Sequence, residues 1–190
     1  LTSIKGKASD LITIYASSGS SNLGNEAINI TSGTATTSQA NALAAATSGI
    51  VTATISDGDM ATLAGLTETG NAYTVTVTDA SVAASALITL DAKTTVDINV
   101  TAVITITGTA TDINTVYAAT GSINGLGNEA NTVTDTSITV AQANTLAAQT
   151  TGVVTATISD GDMTTLAGLA ETGNAYTVTV TDASVAASAL

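Results

Sequence analysis

The stretch GIVTATISDGDMATLAGLTETGNAYTVTVTDASVAASAL, residues 49–87, occurs a second time at residues 152–190, 103 positions further along the chain. Three of its 39 positions differ between the copies, at Ile50/Val153, Ala61/Thr164 and Thr67/Ala170. Near-identity at a long fixed period is typical of repeat arrays, in which each unit packs on its neighbours. The sequence therefore indicates a protein whose residues serve stacking rather than one unique active site.

Within this long repeat, shorter units share one pattern. Each unit begins with Ser, Thr or Asp, continues through about ten residues rich in Ala and Leu, and ends in an alternating segment. The alternation of Val with Thr predicts half-buried strands, and Leu residues three apart predict short amphipathic helices capped by the preceding Ser, Thr or Asp. The predicted strands are residues 50–55, 73–78, 96–100 and 131–134.

One strand and one short helix in each 22–25 residues predicts an α/β repeat fold. We expect a right-handed solenoid with a parallel β-sheet and short helices. The alternative is a string of tandem β-sandwich modules, which explains the strands but not the helical segments. We expect residues 4–105 to be a first repeat of the 103-residue type and residues 106–190 a second, truncated repeat, cut from a longer array.

The composition excludes several classes of function. The net charge is −12, with Lys5, Lys7 and Lys93 as the only basic side chains, so the chain repels nucleic-acid phosphates and anionic membranes. There is no Cys for a disulfide or thiolate site, and no apolar run reaches the roughly 18 residues of a membrane-spanning helix. With neither His nor Cys, the sequence offers no catalytic triad, imidazole base or thiol nucleophile, and we expect no enzymatic activity.

The motif SDGDM is the candidate metal site. Its four aspartates, Asp57 and Asp59 in the first copy and Asp160 and Asp162 in the second, supply the carboxylate oxygens that Ca²⁺ prefers. The alternative is a helix start, in which the serine caps the helix and the carboxylates face the positive end of its dipole. No other cofactor is expected.

Two further motifs admit a structural and a functional interpretation. LGNEA, at residues 23–27 and 126–130, is typical of a turn in which Glu26 or Glu129 caps backbone donors, although the loop could instead bind a ligand. Rows of exposed Thr, as in TVTVT, could form the flat threonine array of an ice-binding solenoid. Asp97 and Asn99 interrupt that row in the equivalent strand VDINV.

Four strings carry a resemblance to a known group of proteins: ASDLITIYASSG, TATDINTVYAATG, GLGNEA and TDTSITVAQANTLAAQTTG. They resemble repeats of giant cell-surface and secreted proteins of marine unicellular cyanobacteria, which repeat variants of AxDLNxxYA, GLGNEA and LxxKTTG. The resemblance covers nearly the whole chain. It implies a very long extracellular protein linked to the cell surface, adhesion, motility or defence, and it supplies no site residue.

These observations favour a structural extracellular array that forms a stalk, fibre or surface-layer-like filament. Its expected partners are neighbouring repeats or other copies of itself, because an open stack exposes a strand edge at each end. The alternatives are a calcium-stabilised adhesin that binds cell-surface glycans and, less favoured, an ice-binding solenoid.

Overall fold

The computed structural model describes residues 1–17, 19 and 21–187, and they form an α/β protein of short parallel strands and short helices. The strands are β1 (Ser3–Gly6), β2 (Ala27–Ile30), β3 (Val51–Thr54), β4 (Ala72–Thr74), β5 (Ser81–Ala83), β6 (Ile98–Asn99), β7 (Thr105–Gly108), β8 (Ile123–Asn124), β9 (Ala130–Val133), β10 (Val154–Thr157) and β11 (Ala175–Thr177). The helices are α1 (Ala8–Ala16), α2 (Thr37–Ala44), α3 (Met60–Leu63), α4 (Ala84–Asp91), α5 (Ala110–Ala118), α6 (Val140–Ala147) and α7 (Met163–Leu166).

The chain divides into two compact units. The first contains Leu1–Asp79, Ala86–Ala102 and Gly121–Gly125, and the second contains Ala80–Ser85, Val103–Thr120 and Leu126–Leu190. No helix within the described ranges combines the length and apolar character that crossing a membrane requires.

The first unit contains a four-stranded sheet in the order β1-β2-β3-β4, with every pair parallel. Successive strands pair at separations of 24, 23 and 20 residues, as in Ser3 with Ala27, Ile28 with Val51, and Thr52 with Ala72. The short strands β6 and β8 form a second parallel pair, 25 residues apart. Each strand of the four-stranded sheet therefore lies beside the one that follows it in the chain, whereas β6 pairs with β8 and not with β7.

The second unit repeats this arrangement. Its five-stranded sheet has the order β11-β10-β9-β7-β5, again with every pair parallel. The separations are 24 residues from β5 to β7, 25 to β9, 23 to β10 and 20 to β11. Parallel strands require a crossover connection, and the short helices provide it.

The core lies beneath one face of most strands, whereas no residue of β1 or β11 is fully buried. Val75 and Val77 are buried while Thr74, Thr76 and Thr78 are exposed, so the predicted alternation of TVTVT is confirmed. Each longer helix buries a small apolar stripe, such as Ala40, Leu43 and Ala44 in α2. The predicted pattern of parallel strands and short helices is thus confirmed as an α/β fold.

Three expectations differ from the structure. Tandem β-sandwich modules are wrong for the described residues, because sandwiches are built of antiparallel strands and the pairs here are parallel. The 20-residue separation is shorter than the predicted 22–25, because the helices it contains, α3 and α7, have only four residues. Strand β5 lies at the start of an Ala- and Leu-rich stretch, the composition from which the sequence predicts a helix.

Candidate functional site

The four aspartates of the SDGDM motifs bind backbone N–H groups at helix starts. Asp59 is the N-cap of α3, where its Oδ1 accepts a hydrogen bond from Thr62 N at 2.9 Å, and Asp162 caps α7 through Thr165 N at 2.8 Å. The backbone N–H of Thr62, followed by its hydroxyl, lowers the pKa of Asp59, and Thr165 has the same effect on Asp162. Both carboxylates are therefore held in the ionised form that a cap requires.

The first aspartate of each motif reaches across to the preceding helix. Thr37 N, the first N–H of α2, donates to Asp57 Oδ2 at 2.6 Å, and Val140 N, the first N–H of α6, donates to Asp160 Oδ2 at 2.7 Å. The first four N–H groups of a helix have no partner within it, so this bond satisfies one of them and places a negative charge at the positive end of the dipole.

The same contact recurs at three other helices. The first N–H of α3, α5 and α7 donates at 2.7, 2.7 and 2.8 Å to an aspartate that lies 19–25 residues later. We call these five residues the Asp ladder: Asp57, Asp79, Asp135, Asp160 and Asp182. Since each member joins one helix to the chain segment that follows it, the ladder links successive segments of the fold.

The serine of SDGDM does not cap the helix, contrary to the sequence expectation. Ser56 and Ser159 instead donate to the carbonyl oxygens of Ala35 and Ile138. The helices begin four residues after the serines, and the second aspartate of the motif takes the N-cap position. Among residues 1–17, 19 and 21–187, no group of three or more acidic side chains is placed to hold a metal ion.

The glutamates of LGNEA are buried, which the sequence did not indicate. Glu26 is 0% exposed, and its carboxylate accepts hydrogen bonds from Gly24 N, from Asn25 N and from the hydroxyl of Tyr15. The prediction that this glutamate caps backbone donors is confirmed. Gly24 has a φ of 124°, the left-handed region that its lack of a side chain permits, and this turn aims its N–H at the carboxylate.

Hydrogen bonding outweighs burial in setting the charge of this glutamate. The Tyr15 hydroxyl contributes most to lowering the pKa of Glu26, burial opposes it, and the N–H groups of Gly24 and Asn25 add to the lowering. Burial and the neighbouring carboxylate raise the pKa of Tyr15, which therefore stays neutral and donates its proton. The pair is a charged acceptor with neutral donors.

The second copy of this glutamate has a similar but less complete set of partners. Oε2 of Glu129 accepts from Gly127 N at 2.9 Å, Asn128 N at 3.2 Å and the Tyr117 hydroxyl at 3.1 Å. Oε1 is buried and has no hydrogen-bond partner among the described residues. Burial raises the pKa of Tyr117 to about 12.

Short polar side chains connect neighbouring strands in the same manner. Asn71 Oδ1 accepts from Val51 N at 2.8 Å, and in the second copy Asn174 Oδ1 accepts from Val154 N at 2.8 Å. The hydroxyl of Thr47 donates to Glu26 O at 2.7 Å. Such bonds to backbone groups 20–21 residues away satisfy donors and acceptors that lie outside the regular ladders.

The threonine rows are exposed, as expected, but short. Thr74, Thr76 and Thr78 face away from the core, and in the neighbouring segment Asp97 accepts a hydrogen bond from Asn124 Nδ2 at 3.0 Å. The row is thus interrupted by a polar pair rather than continued by threonine.

Comparisons with models of protein families, with curated proteins and with solved structures gave no match to this chain.

Proposed function

We propose that this chain is a structural extracellular repeat array, part of a stalk, fibre or surface-layer-like filament, without a catalytic role. The Asp ladder carries the proposal. Five aspartates, one third of the 15 acidic residues, bind the first N–H of a helix in the preceding segment. Acidic side chains used in this way join one segment to the next.

The proposal also states the architecture of the array, which is a solenoid. Within each sheet, neighbouring strands are parallel and 20–25 residues apart, which supports a solenoid in which one coil adds one strand to a sheet. We infer a right-handed coil, because crossover connections between parallel strands are right-handed in about 98% of cases.

The chemistry of the surface supports a location outside the cell. Only three basic side chains are present, so proteases that cleave after Lys or Arg find few sites. The absence of Cys makes the fold independent of the redox state of its surroundings. The resemblance to giant cyanobacterial surface proteins favours the same location, and other copies or neighbouring repeats are the proposed partners.

Electron microscopy of the natural assembly, first in calcium and then in EDTA, tests this function. A thin rod with an axial period matching the 103-residue repeat, unchanged by EDTA, is the expected result. Fraying of the rod in EDTA would favour the calcium-stabilised adhesin and return Asp57, Asp59, Asp160 and Asp162 to the role of calcium ligands. Isolated globular particles in both buffers would contradict the array.

A further inference from the structure

The cluster around Glu26 and the cluster around Glu129, which we call the first and second cluster, differ at one buried position. Ile28, two residues after the first glutamate, is 0% exposed, and its counterpart Asn131 is 0% exposed as well. The partners of Asn131 on the neighbouring strands are apolar and fully buried: Ile106 and Val154. An amide in such a position costs free energy unless its polar atoms find hydrogen-bond partners.

Asn131 joins the second cluster through one end of its amide only. Its Oδ1 lies 3.2 Å from the hydroxyl of Tyr117, which also lies 3.1 Å from Glu129 Oε2. A tyrosine hydroxyl carries one proton, so it donates to one of these two oxygens at a time. Asn131 Nδ2 and Glu129 Oε1 are buried and have no hydrogen-bond partner among the described residues. The second cluster therefore contains a donor and an acceptor that its own side chains do not satisfy.

Turning the amide over does not remove this deficit. With Oδ1 and Nδ2 exchanged, Nδ2 would donate to the Tyr117 hydroxyl oxygen, and the hydroxyl proton would go to Glu129 Oε2. Oδ1 would then become the amide atom without a partner, and Glu129 Oε1 would still lack a donor. In both orientations one amide atom of Asn131 and one carboxylate oxygen remain unsatisfied.

A second amide accompanies the first. Gln149 stands where the first copy has Ala46, and its Oε1 is buried without a hydrogen-bond partner in the part of the chain that the structure describes. It is bonded to Thr150, whose hydroxyl donates to Glu129 O at 2.7 Å. In the first cluster, by contrast, both carboxylate oxygens of Glu26 accept hydrogen bonds. Unsatisfied hydrogen-bonding groups are thus a property of the second cluster.

We propose that the second cluster binds one water molecule, which donates to Glu129 Oε1 and bonds the amide atom of Asn131 that has no other partner. Water donates and accepts at once, so it satisfies either orientation of the amide, and buried waters typically make about three hydrogen bonds to such groups. The two unsatisfied atoms belong to groups that both contact the Tyr117 hydroxyl, so one molecule of this size can reach both. The proposal does not depend on the array, and it assigns a bound molecule to one copy of the repeat and not to the other.

Oxygen-17 magnetic relaxation dispersion tests this assignment, because it counts the waters that stay inside a folded protein longer than the protein takes to tumble. The variant is Asn131→Ile, which places the residue of the first copy in the second cluster. The matched control is Ile28→Val, which changes the same position of the first cluster and touches no polar atom. We expect the dispersion amplitude to fall by one water in Asn131→Ile and to stay at the wild-type value in Ile28→Val. Equal amplitudes in the wild type and Asn131→Ile would overturn the proposal.

A second measurement uses the wild type alone and so does not require the variant to fold. In the nitrogen-15-labelled protein, the amide protons of Asn131 Nδ2 should show rotating-frame cross-relaxation with water, whose sign is opposite to that of chemical exchange. Amide protons that are observed without such a peak would overturn the proposal and indicate a direct hydrogen bond between Asn131 and Glu129 instead.

Discussion

Replacing the buried Glu26 by Gln tests whether an ionised carboxylate stabilises the LGNEA loop. The Gln side chain has the same shape, and its carbonyl oxygen can still accept from Gly24 N while its amide donates to the Tyr15 hydroxyl. The substitution therefore removes the charge and keeps the number of hydrogen bonds nearly constant. What it measures is the contribution of charge to this buried cluster.

The expected loss follows from the contacts. Two partners bind the carboxylate closely, the Tyr15 hydroxyl and Gly24 N, the latter at 3.1 Å from both oxygens, while Asn25 N is more distant at 3.4 Å. Hydrogen bonds to charged groups contribute about 1 kcal/mol more than neutral ones, so Glu26→Gln should lower the free energy of unfolding by about 2 kcal/mol at pH 7. For a chain of this size, that loss is about 4–8 °C in the thermal midpoint.

The dependence of stability on pH shows whether the charged form of Glu26 stabilises the fold. The folded-state pKa of Glu26 is lowered, so its charge contributes stability above the pKa of the unfolded chain, about 4.3. That contribution is lost as the pH falls through the folded value. Urea unfolding of the wild type and of Glu26→Gln should therefore give a difference that is full at pH 7 and shrinks progressively below about pH 4.3.

A variant in the second copy provides the matched control. At Glu129 three donors bind Oε2 within 3.2 Å, so by the same reasoning Glu129→Gln should lose at least as much, about 2–3 kcal/mol. A difference for Glu26→Gln that stays the same from pH 7 to pH 3 would refute the reasoning. Greater stability of Glu26→Gln at pH 7 would show that desolvation of the charge outweighs its hydrogen bonds.

Three further predictions concern the contacts between segments. Asp57→Ala removes the partner of the first N–H of α2 and should lower the free energy of unfolding, measured in urea, by about 1 kcal/mol. EDTA should leave the thermal midpoint of the wild type unchanged. A midpoint that falls in EDTA would favour the calcium site. Gly49→Ala places a Cβ against the backbone carbonyl oxygen of Glu26 and should lower the free energy of unfolding by more than about 3 kcal/mol. Gly33→Ala has open space around it and should lower it by about 1–2 kcal/mol, because its φ is positive. Equal losses of stability in the two variants would contradict the close approach at Gly49. Val75→Thr should destabilise the fold by about 2 kcal/mol and Val178→Thr by less than about 1 kcal/mol, a contrast that calorimetry of both variants would reveal or exclude.

The local elements were predictable because their signals are local. Alternation of Val and Thr gives the strand face around Val75, and the sequence TTSQ gives the capping box of α2, in which Thr36 and Gln39 bind each other's backbone N–H. Both depend on residues within about three positions of one another. Strand β5 lacks such a local signal. Its residues Ser-Val-Ala form a strand because they pair with β7, in which Thr105 lies beside Ser81.

The site could be predicted only in part for the same reason. The sequence places Asp57 at the start of the helix that follows it, and this is wrong: its carboxylate binds the N–H of Thr37 at the start of the preceding helix α2, 20 residues earlier, and no local pattern specifies that separation. Burial of Glu26 was missed because Glu is almost never fully buried without a partner, and its main partner, Tyr15, is 11 residues away in a helix.

The three substitutions between residues 49–87 and residues 152–190 show which atoms make the contacts between neighbouring segments. All three pairs fall on exposed positions: Ile50 is 56% and Val153 45% exposed, and the other four side chains are exposed as well. The pair Thr67 and Ala170 is the most informative, because Thr67 N donates to an Asn41 oxygen at 3.1 Å and Ala170 N makes the equivalent bond at 3.0 Å.

At this pair the hydrogen bond is made by the backbone N–H, so the side chain can change while the contact between segments is kept. By contrast, each aspartate of the two SDGDM motifs binds through its own carboxylate, and those aspartates are identical in both copies. The pattern of change and identity is the one expected of a chain whose side chains are used mainly to join each segment to the next.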